Sequence, residues 1–226
     1  MLREIKLKLL RSPADYPGAK HVSDPMKFYY RPFFGGLYRR RVEMCLAELA
    51  GGENILEVGF GSGLTFLNLA ESYKAIWGLD LESDCERVQK HFAGMGINCH
   101  LSNGSVLKMP YPDNFFDSVL LISILEHLKP AEQDAAFMEI KRVLKPGGHV
   151  VYGIPVERPL MVLAFKILGY NIREHHFSTE TDARNAAGRH LKRGQIRSLC
   201  GFGGLLGSIY EVGVFEKGLA VPVSDA

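Results

Sequence analysis

The stretch Asn54-Ile-Leu-Glu-Val-Gly-Phe-Gly-Ser-Gly63 decides how this chain is read. Ile55, Leu56 and Val58 make a short apolar run, the pattern of a strand covered on both faces. Gly59, Gly61 and Gly63 then free the backbone and let a ligand approach the main chain closely. Leu64, Phe66, Leu67 and Ala70 recur at helical spacing, with Leu69 widening the stripe. The spacing predicts a helix beginning near Gly63, its first free N–H groups facing the loop.

The glycine register separates two ligands. A dinucleotide turn needs Gly-x-Gly-x-x-Gly, the last glycine allowing close helix–strand packing beside a pyrophosphate. Counting from Gly59 places Leu64 at that position, and counting from Gly61 places Phe66 there, so neither register fits. The pattern present is Glu-x-Gly-x-Gly-x-Gly, with Glu57 in the strand end. A carboxylate there repels a pyrophosphate and suits a positively charged ligand. S-adenosylmethionine, with an ammonium, a sulfonium and no phosphate, has that chemistry. The next apolar run, Ala75-Ile-Trp-Gly-Leu-Asp80, ends in an acid 21 positions after Gly59 (80 − 59 = 21). A spacing of about 20 suits an acid reaching ribose hydroxyls. The alternative is a strand-end aspartate capping a helix that starts near Glu82; beside the glycine loop, ribose binding is preferred.

Five segments carry a resemblance. They are Ile55-Leu-Glu-Val-Gly-Phe-Gly-Ser-Gly63, Trp77-Gly-Leu-Asp80, Met109-Pro-Tyr-Pro-Asp-Asn-Phe-Phe-Asp117, Leu125-Glu-His-Leu128 and Arg142-Val-Leu-Lys-Pro-Gly-Gly148. In this order they resemble the class I S-adenosylmethionine-dependent methyltransferases, within them the small-molecule group that includes quinone-biosynthesis enzymes. The resemblance covers about residues 50 to 155. It implies Glu57, Gly59, Phe60, Gly61 and Gly63 around the methionine end, Asp80 on the ribose and Leu81 against the adenine face. The family often has an aspartate after the third strand, accepting from the adenine amino group. Here Asn103-Gly-Ser-Val106 puts Ser105 at that place, flanked by Gly104 and Val106. Its hydroxyl can accept the same bond without charge.

The rest of the core alternates strand and helix. A helix is expected from about Glu82 to Ala93, a strand over Ile97–Leu101, another over Asp117–Ser123, and a helix opening at Pro130 and ending at Pro146-Gly-Gly148. His149–Ile154 forms a fifth strand. The resulting class is α/β, doubly wound around a mostly parallel sheet with helices on both faces. The resemblance implies seven strands in a Rossmann-like methyltransferase fold, with a C-terminal strand pair of which one member is antiparallel. Ser208–Lys217 can supply one of the pair. The 226 residues, with 46% hydrophobic content, read as a single domain. It divides into an N-terminal helical cap (1–49), a cofactor-binding core (50–155), a substrate-side insertion (156–207) and a final strand and tail (208–226). Ligands in such sheets bind beyond the carboxyl ends of the strands, at the switch in strand order. The glycines, Asp80, the Ser105 loop and the segment from Ile122 to Glu126 all fall at that edge, and Ile122 joins the cofactor-binding set.

A net charge of +2 is too small to argue for nucleic acid or a membrane. Cys45, Cys85, Cys99 and Cys200 form no metal-ligand pairs and read as reduced residues of a cytoplasmic protein. No run is long enough to span a bilayer, and Met1–Arg11 alternates apolar and basic residues unlike a signal peptide. Methyl transfer requires alignment and exclusion of water rather than a metal. His127, just past the fourth strand, is the catalytic candidate; the alternative is a histidine packed under its loop. His175-His176 is a second candidate without metal spacing. The fourth-strand exit, Ser123-Ile-Leu-Glu126, lacks the Asp/Asn-Pro-Pro-aromatic sequence of nucleobase-amino methyltransferases.

Substrate choice is assigned to two flanking regions. Phe28–Gly36 is a candidate lid in which Tyr30 touches the cofactor, and Arg39-Arg-Arg41 is expected in water. Leu160–Leu168, apolar apart from Lys166, is read as a wall for a hydrophobic substrate, with room for peripheral membrane contact. Ser178 or Thr179 caps a helix running to about Leu191, and Gly201-Phe-Gly-Gly204 is a turn. The expected activity is methyl transfer to a small or lipid-like acceptor, at oxygen or carbon. The rivals are an RNA or protein methyltransferase, motivated by the three arginines, and a noncatalytic S-adenosylmethionine-binding domain.

Overall fold

A computed structural model describes residues 4–17, 26–32, 35–156, 177–201 and 207–219. The expected wall at 160–168, His175-His176, Phe33, Phe34 and most of the turn at 201–204 lie outside the described residues. The strands are β1 (Gly52–Val58), β2 (Tyr73–Asp80), β3 (Cys99–Asn103), β4 (Phe116–Ile122), β5 (Leu144–Pro155), β6 (Lys192–Cys200) and β7 (Ser208–Glu216). The helices are α1 (Met26–Tyr29), α2 (Gly35–Ala47), α3 (Phe66–Leu69), α4 (Cys85–Ala93), α5 (Pro130–Val143) and α6 (Glu180–His190), with single 3-10 turns at Pro13–Asp15 and Leu125–His127.

The strands form one sheet in the order β3-β2-β1-β4-β5-β7-β6. Pairings from β3 to β5 are parallel, and β7 runs antiparallel between β5 and β6. The chain leaves β3 at one edge and re-enters beside β1 as β4, so the strand order reverses between β1 and β4. The expected doubly wound sheet and its antiparallel C-terminal member are both present.

The run that opened the reading shows why the sheet is buried on both sides. Leu56 and Val58 face a core shared with Val119, Leu121, Phe137 and Ile140, and with Ala183 and Ala186 of α6. Ile55 faces the opposite core, with Val42 and Leu46 of α2, Phe66 of α3 and Val88 of α4. Successive strand residues point to opposite faces, so one apolar run serves both layers.

Several local expectations are corrected. The helix after the glycine loop is only Phe66–Leu69, preceded by turns through Gly61–Thr65. The reason is Asn68, whose side chain takes the Lys8 N–H at 2.8 Å and gives a bond to the Lys6 carbonyl at 3.0 Å, tying the N-terminal segment to this turn. The next helix starts at Cys85, not Glu82, because Asp84 caps it by accepting from the Arg87 N–H at 3.1 Å. α5 stops at Val143, and Pro146–Gly148 belong to the irregular start of β5. There Gly147 N–H donates to Lys217 O and Lys217 N–H to Gly148 O, both at 2.8 Å. Thr179 caps α6 as expected, in a capping box with Asp182. β6 is the other member of the expected C-terminal pair, whose position was not assigned; it falls within the stretch assigned to the substrate side. Lys192-Arg-Gly-Gln-Ile-Arg is a charged, exposed edge, and such strands lack the alternating apolar signal.

The arginine trio is also corrected. Arg40 does face solvent, its side chain 53% exposed, 4.0 Å from Glu43. Arg39 turns back to donate to the Tyr29 carbonyl at 2.7 Å, and Arg41 stacks on Tyr38 with its guanidinium carbon 4.1 Å from the ring centroid. The Tyr30 hydroxyl, expected near the cofactor, donates to the Leu10 carbonyl at 2.7 Å instead.

Candidate functional site

The glycine loop sits at the carboxyl end of β1, beside the reversal in strand order. Gly59, Gly61 and Gly63 have φ of +71°, +54° and +80°, a region that side chains disfavour. Gly63 needs its glycine twice over, since a Cβ there would stand 2.5 Å from the Phe92 ring. At Gly59 a Cβ would meet Ile124 Cδ1 at 2.0 Å. Ile124, named in the sequence only as part of the fourth-strand exit, is therefore the side chain that closes over the first glycine.

Asp80 joins the loop to the end of β2. One carboxylate oxygen accepts from Gly61 N–H at 3.0 Å, and the other from Glu82 and Ser83 N–H, both at 3.0 Å. Three of about four lone-pair sites are thereby used. The remaining capacity and the half-buried position leave it able to accept from a ligand hydroxyl. Leu81 follows with 72% of its surface exposed. A large apolar side chain standing in water beside a ligand-facing acid is suited to cover a flat apolar group.

The third-strand exit meets Asp80 from the other side, with Gly104 N–H donating to the Asp80 carbonyl at 3.0 Å. A Cβ on Gly104 would meet Leu79 at 2.8 Å, so this glycine permits close packing of the loop. The Ser105 hydroxyl accepts from Leu107 N–H at 3.2 Å and so shapes its own turn. Val106 is buried in the core. Phe60 is buried as well, packed against Phe66 and lying where a Cβ on Gly78 would fall. The residue presents its backbone to the loop while its ring serves the core.

Glu57 is buried and bonded to the Thr65 hydroxyl. Burial pushes its carboxyl up to about 8, the Thr65 bond pulls it down, and the Asp80 charge pushes it up. Thr65 was missed, because nothing in the sequence marks it except that a buried carboxyl needs a partner.

Past β4, Ile122 is half-buried and Ser123 adopts φ +55°, a left-handed conformation for a non-glycine residue. The Ser123 hydroxyl lies 3.2 Å from the Tyr210 hydroxyl. Glu126 is buried and His127 exposed on the turn Leu125–His127. The sheet thus gathers the loop, Asp80, Leu81, Gly104, Ser105 and Ile122 at one edge, with His127 at the exit of β4. Positive-φ glycines, a carboxylate with remaining capacity and an exposed leucine fit a nucleoside without phosphate.

A methyltransferase domain model matches residues 55–148, from β1 into the start of β5. Over that stretch the chain is similar to methyltransferase domains. Its sequence is similar to a demethylmenaquinone methyltransferase of Tropheryma whipplei, 28% identical over 127 residues, covering 53% of this chain and 48% of that protein. It is also similar to a fatty-acid O-methyltransferase of Mycolicibacterium smegmatis, 36% identical over 107 residues, covering 45% of this chain and 36% of that protein. The chain spans no more than half the length of these two relatives. In fold, the chain is similar to the N-methyltransferase NodS of Bradyrhizobium japonicum, solved with S-adenosyl-L-homocysteine. The TM-score is 0.63 at 16% identity, over 86% of this chain and 92% of that one.

Proposed function

We propose that this protein is an S-adenosylmethionine-dependent methyltransferase acting on a small or lipid-like acceptor, at oxygen or carbon. The observation that carries the reading is the junction of Asp80, exposed Leu81 and the Gly59–Gly63 loop at the strand-order reversal. Relatives whose names specify a demethylated menaquinone and a fatty acid support the acceptor class.

Bound at this edge, S-adenosylmethionine supplies an electrophilic methyl group on a sulfonium with a thioether as leaving group. Asp80 accepts from the ribose hydroxyls, Leu81 covers one adenine face, and the Gly104–Ser105–Val106 loop borders the base. The loop backbone from Gly59 to Gly63 and Ile122 frame the amino-acid end. Glu57, beneath that loop, becomes the counter-charge for a cation once it gives up its proton. His127 takes the proton of an acceptor hydroxyl or acidic carbon as the new bond to the methyl carbon forms.

The test is calorimetric titration with S-adenosylmethionine, followed by measurement of S-adenosylhomocysteine formed with fatty acids, phenols and quinols as acceptors. Binding with turnover on one of these classes is expected. Binding without turnover on any acceptor selects a noncatalytic domain, and no binding at millimolar nucleoside rejects the reading altogether. His127→Ala is expected to slow turnover at least tenfold with cofactor affinity within twofold; unchanged turnover returns this histidine to the scaffold. The RNA alternative rested on the arginine trio, and Arg39 and Arg41 turn to protein partners rather than outward.

A further inference from the structure

Three consecutive arginines on α2 have three different surroundings. Arg39 bonds the Tyr29 carbonyl and Arg40 lies in solvent beside Glu43. Arg41 stacks on Tyr38 at 4.1 Å and faces the Tyr210 ring at 5.2 Å. Its Nε is shut off from solvent without a hydrogen-bond partner, and no hydrogen bond or ion pair joins its guanidinium to another described residue. Guanidinium has five N–H donors in a planar fork and stays charged. Aromatic faces satisfy its charge in part but accept its N–H groups poorly. Burial opposes the charge, and the fields of Tyr210, Tyr29, Tyr38 and Glu126 outweigh that opposition and hold the group above the ordinary arginine value. One enclosed N–H without an acceptor is costly, and the terminal N–H groups of this half-buried side chain, which bond no described residue, are left for an acceptor from outside the fold.

Its position says what that acceptor belongs to. Tyr210 opens β7 beside the end of β5, and its hydroxyl reaches Ser123 at the exit of β4. A Cβ on Gly153 would meet the Tyr210 hydroxyl at 2.5 Å and Cys45 Sγ at 2.6 Å, so α2 and β7 close tightly over this end of β5. The next residue after Ser123, Ile124, covers Gly59 of the cofactor loop. Arg41 therefore stands across the Ser123–Ile124 corner from the glycine loop, among aromatic rings. Glu126 is an acid whose charge reaches this cluster, but it makes no ion pair with Arg41. A ligand anion would supply the direct partner.

We propose that Arg41 is an acceptor-binding residue, pairing its guanidinium with an anionic oxygen on an otherwise apolar acceptor and selecting ionised acceptors over neutral ones. The planar fork matches a carboxylate with two parallel bonds and can also hold a single phenolate oxygen. Tyr38 and Tyr210 supply the apolar walls. The inference rests on the methyltransferase reading and narrows its acceptor to a carboxylate or a phenolate.

The experiment is calorimetric titration of the full chain, saturated with S-adenosylhomocysteine, with decanoate, 2,4-dinitrophenolate and decanol. At least one anion is expected to bind ten times or more tightly than decanol; the tighter anion identifies the oxygen type. Arg41→Gln should weaken that anion at least tenfold and leave decanol and S-adenosylhomocysteine within twofold. Arg41→Lys, which keeps the charge and loses the fork, should fall between. Arg40→Gln, in solvent one residue away, should change nothing. Equal binding of anions and decanol by the wild type, binding of none of the three at millimolar levels, or undiminished anion affinity in Arg41→Gln overturns the proposal. If Arg41→Gln does not fold, the wild-type comparison and Arg41→Lys decide it. Failure of the wild type to bind S-adenosylhomocysteine strikes the methyltransferase reading instead.

Discussion

Asp80 and Glu57 show how differently two acids of one site are held. Asp80 accepts three backbone N–H groups and ties the glycine loop to β2. Asp80→Ala removes both that tie and the proposed ribose partner. Cofactor affinity should fall by about 1–3 kcal/mol, the scale of hydrogen bonds to a charged group, measured by titration of a variant with a native circular dichroism spectrum; unchanged affinity contradicts the ribose role. Glu57 lies in the strand bonded to the Thr65 hydroxyl, and burial raises its carboxyl to about 8. The folded chain then keeps a proton that the unfolded chain releases near 4.5. Stability from this group is complete below about 4.5 and declines as pH rises toward 8. His149 works oppositely: burial lowers its imidazole, favouring the neutral form, so its contribution grows as pH rises through the histidine range. The difference between wild type and Glu57→Gln isolates the acid. From pH 5.5 to 7.5 the wild type should lose up to about 3 kcal/mol relative to the variant, read from urea unfolding at both values; parallel profiles would show Glu57 ionised throughout. The glycines and Asp80 were legible because their types and spacing are demanded by backbone conformation and hydrogen-bonding reach. Thr65, Ile124 and Arg41 were not, because their roles come from neighbours distant in the chain.

At the level of elements, the strands with strong apolar runs were the readable ones. β1 and β4 sit in the middle of the sheet and must be apolar on both faces. β6 is charged at the outer edge, and its strand conformation comes from pairing with β7 rather than from its own sequence. α3 was expected to be longer; its turn is committed to the N-terminal segment through Asn68. Asn68→Ala should release residues 4–10 from this turn at a cost of about 1–3 kcal/mol for two lost buried bonds. The measurement is thermal unfolding together with limited proteolysis, and cleavage within 4–10 no faster than in the wild type would show that other contacts hold the segment. α6, in contrast, announced both its ends, because a Thr179–Asp182 capping box is a local device.

For the whole molecule, stability rests on two apolar layers, one on each side of the sheet. Phe137 of α5 is fully buried against the first layer, with its ring 6.2 Å from that of Tyr152. Phe137→Ala should destabilise the fold by about 3–5 kcal/mol, measured by chemical denaturation; a loss below 1 kcal/mol would mean that the layer closes around the gap. The sequence alone determined the alternation of strand and helix, the glycines that take a left-handed backbone after the first strand and the acid at the end of the second. Those properties follow from side-chain periodicity, from backbone freedom at glycine and from charge at fixed spacing, all of which are local. The tertiary structure alone decided which two of three adjacent arginines turn from solvent, which side chain closes over Gly59 and which hydroxyl donates to Glu57. Each of these depends on parts of the chain that meet only when the sheet assembles, and burial there sets charge and hydrogen bonding in ways that no short stretch of residues encodes.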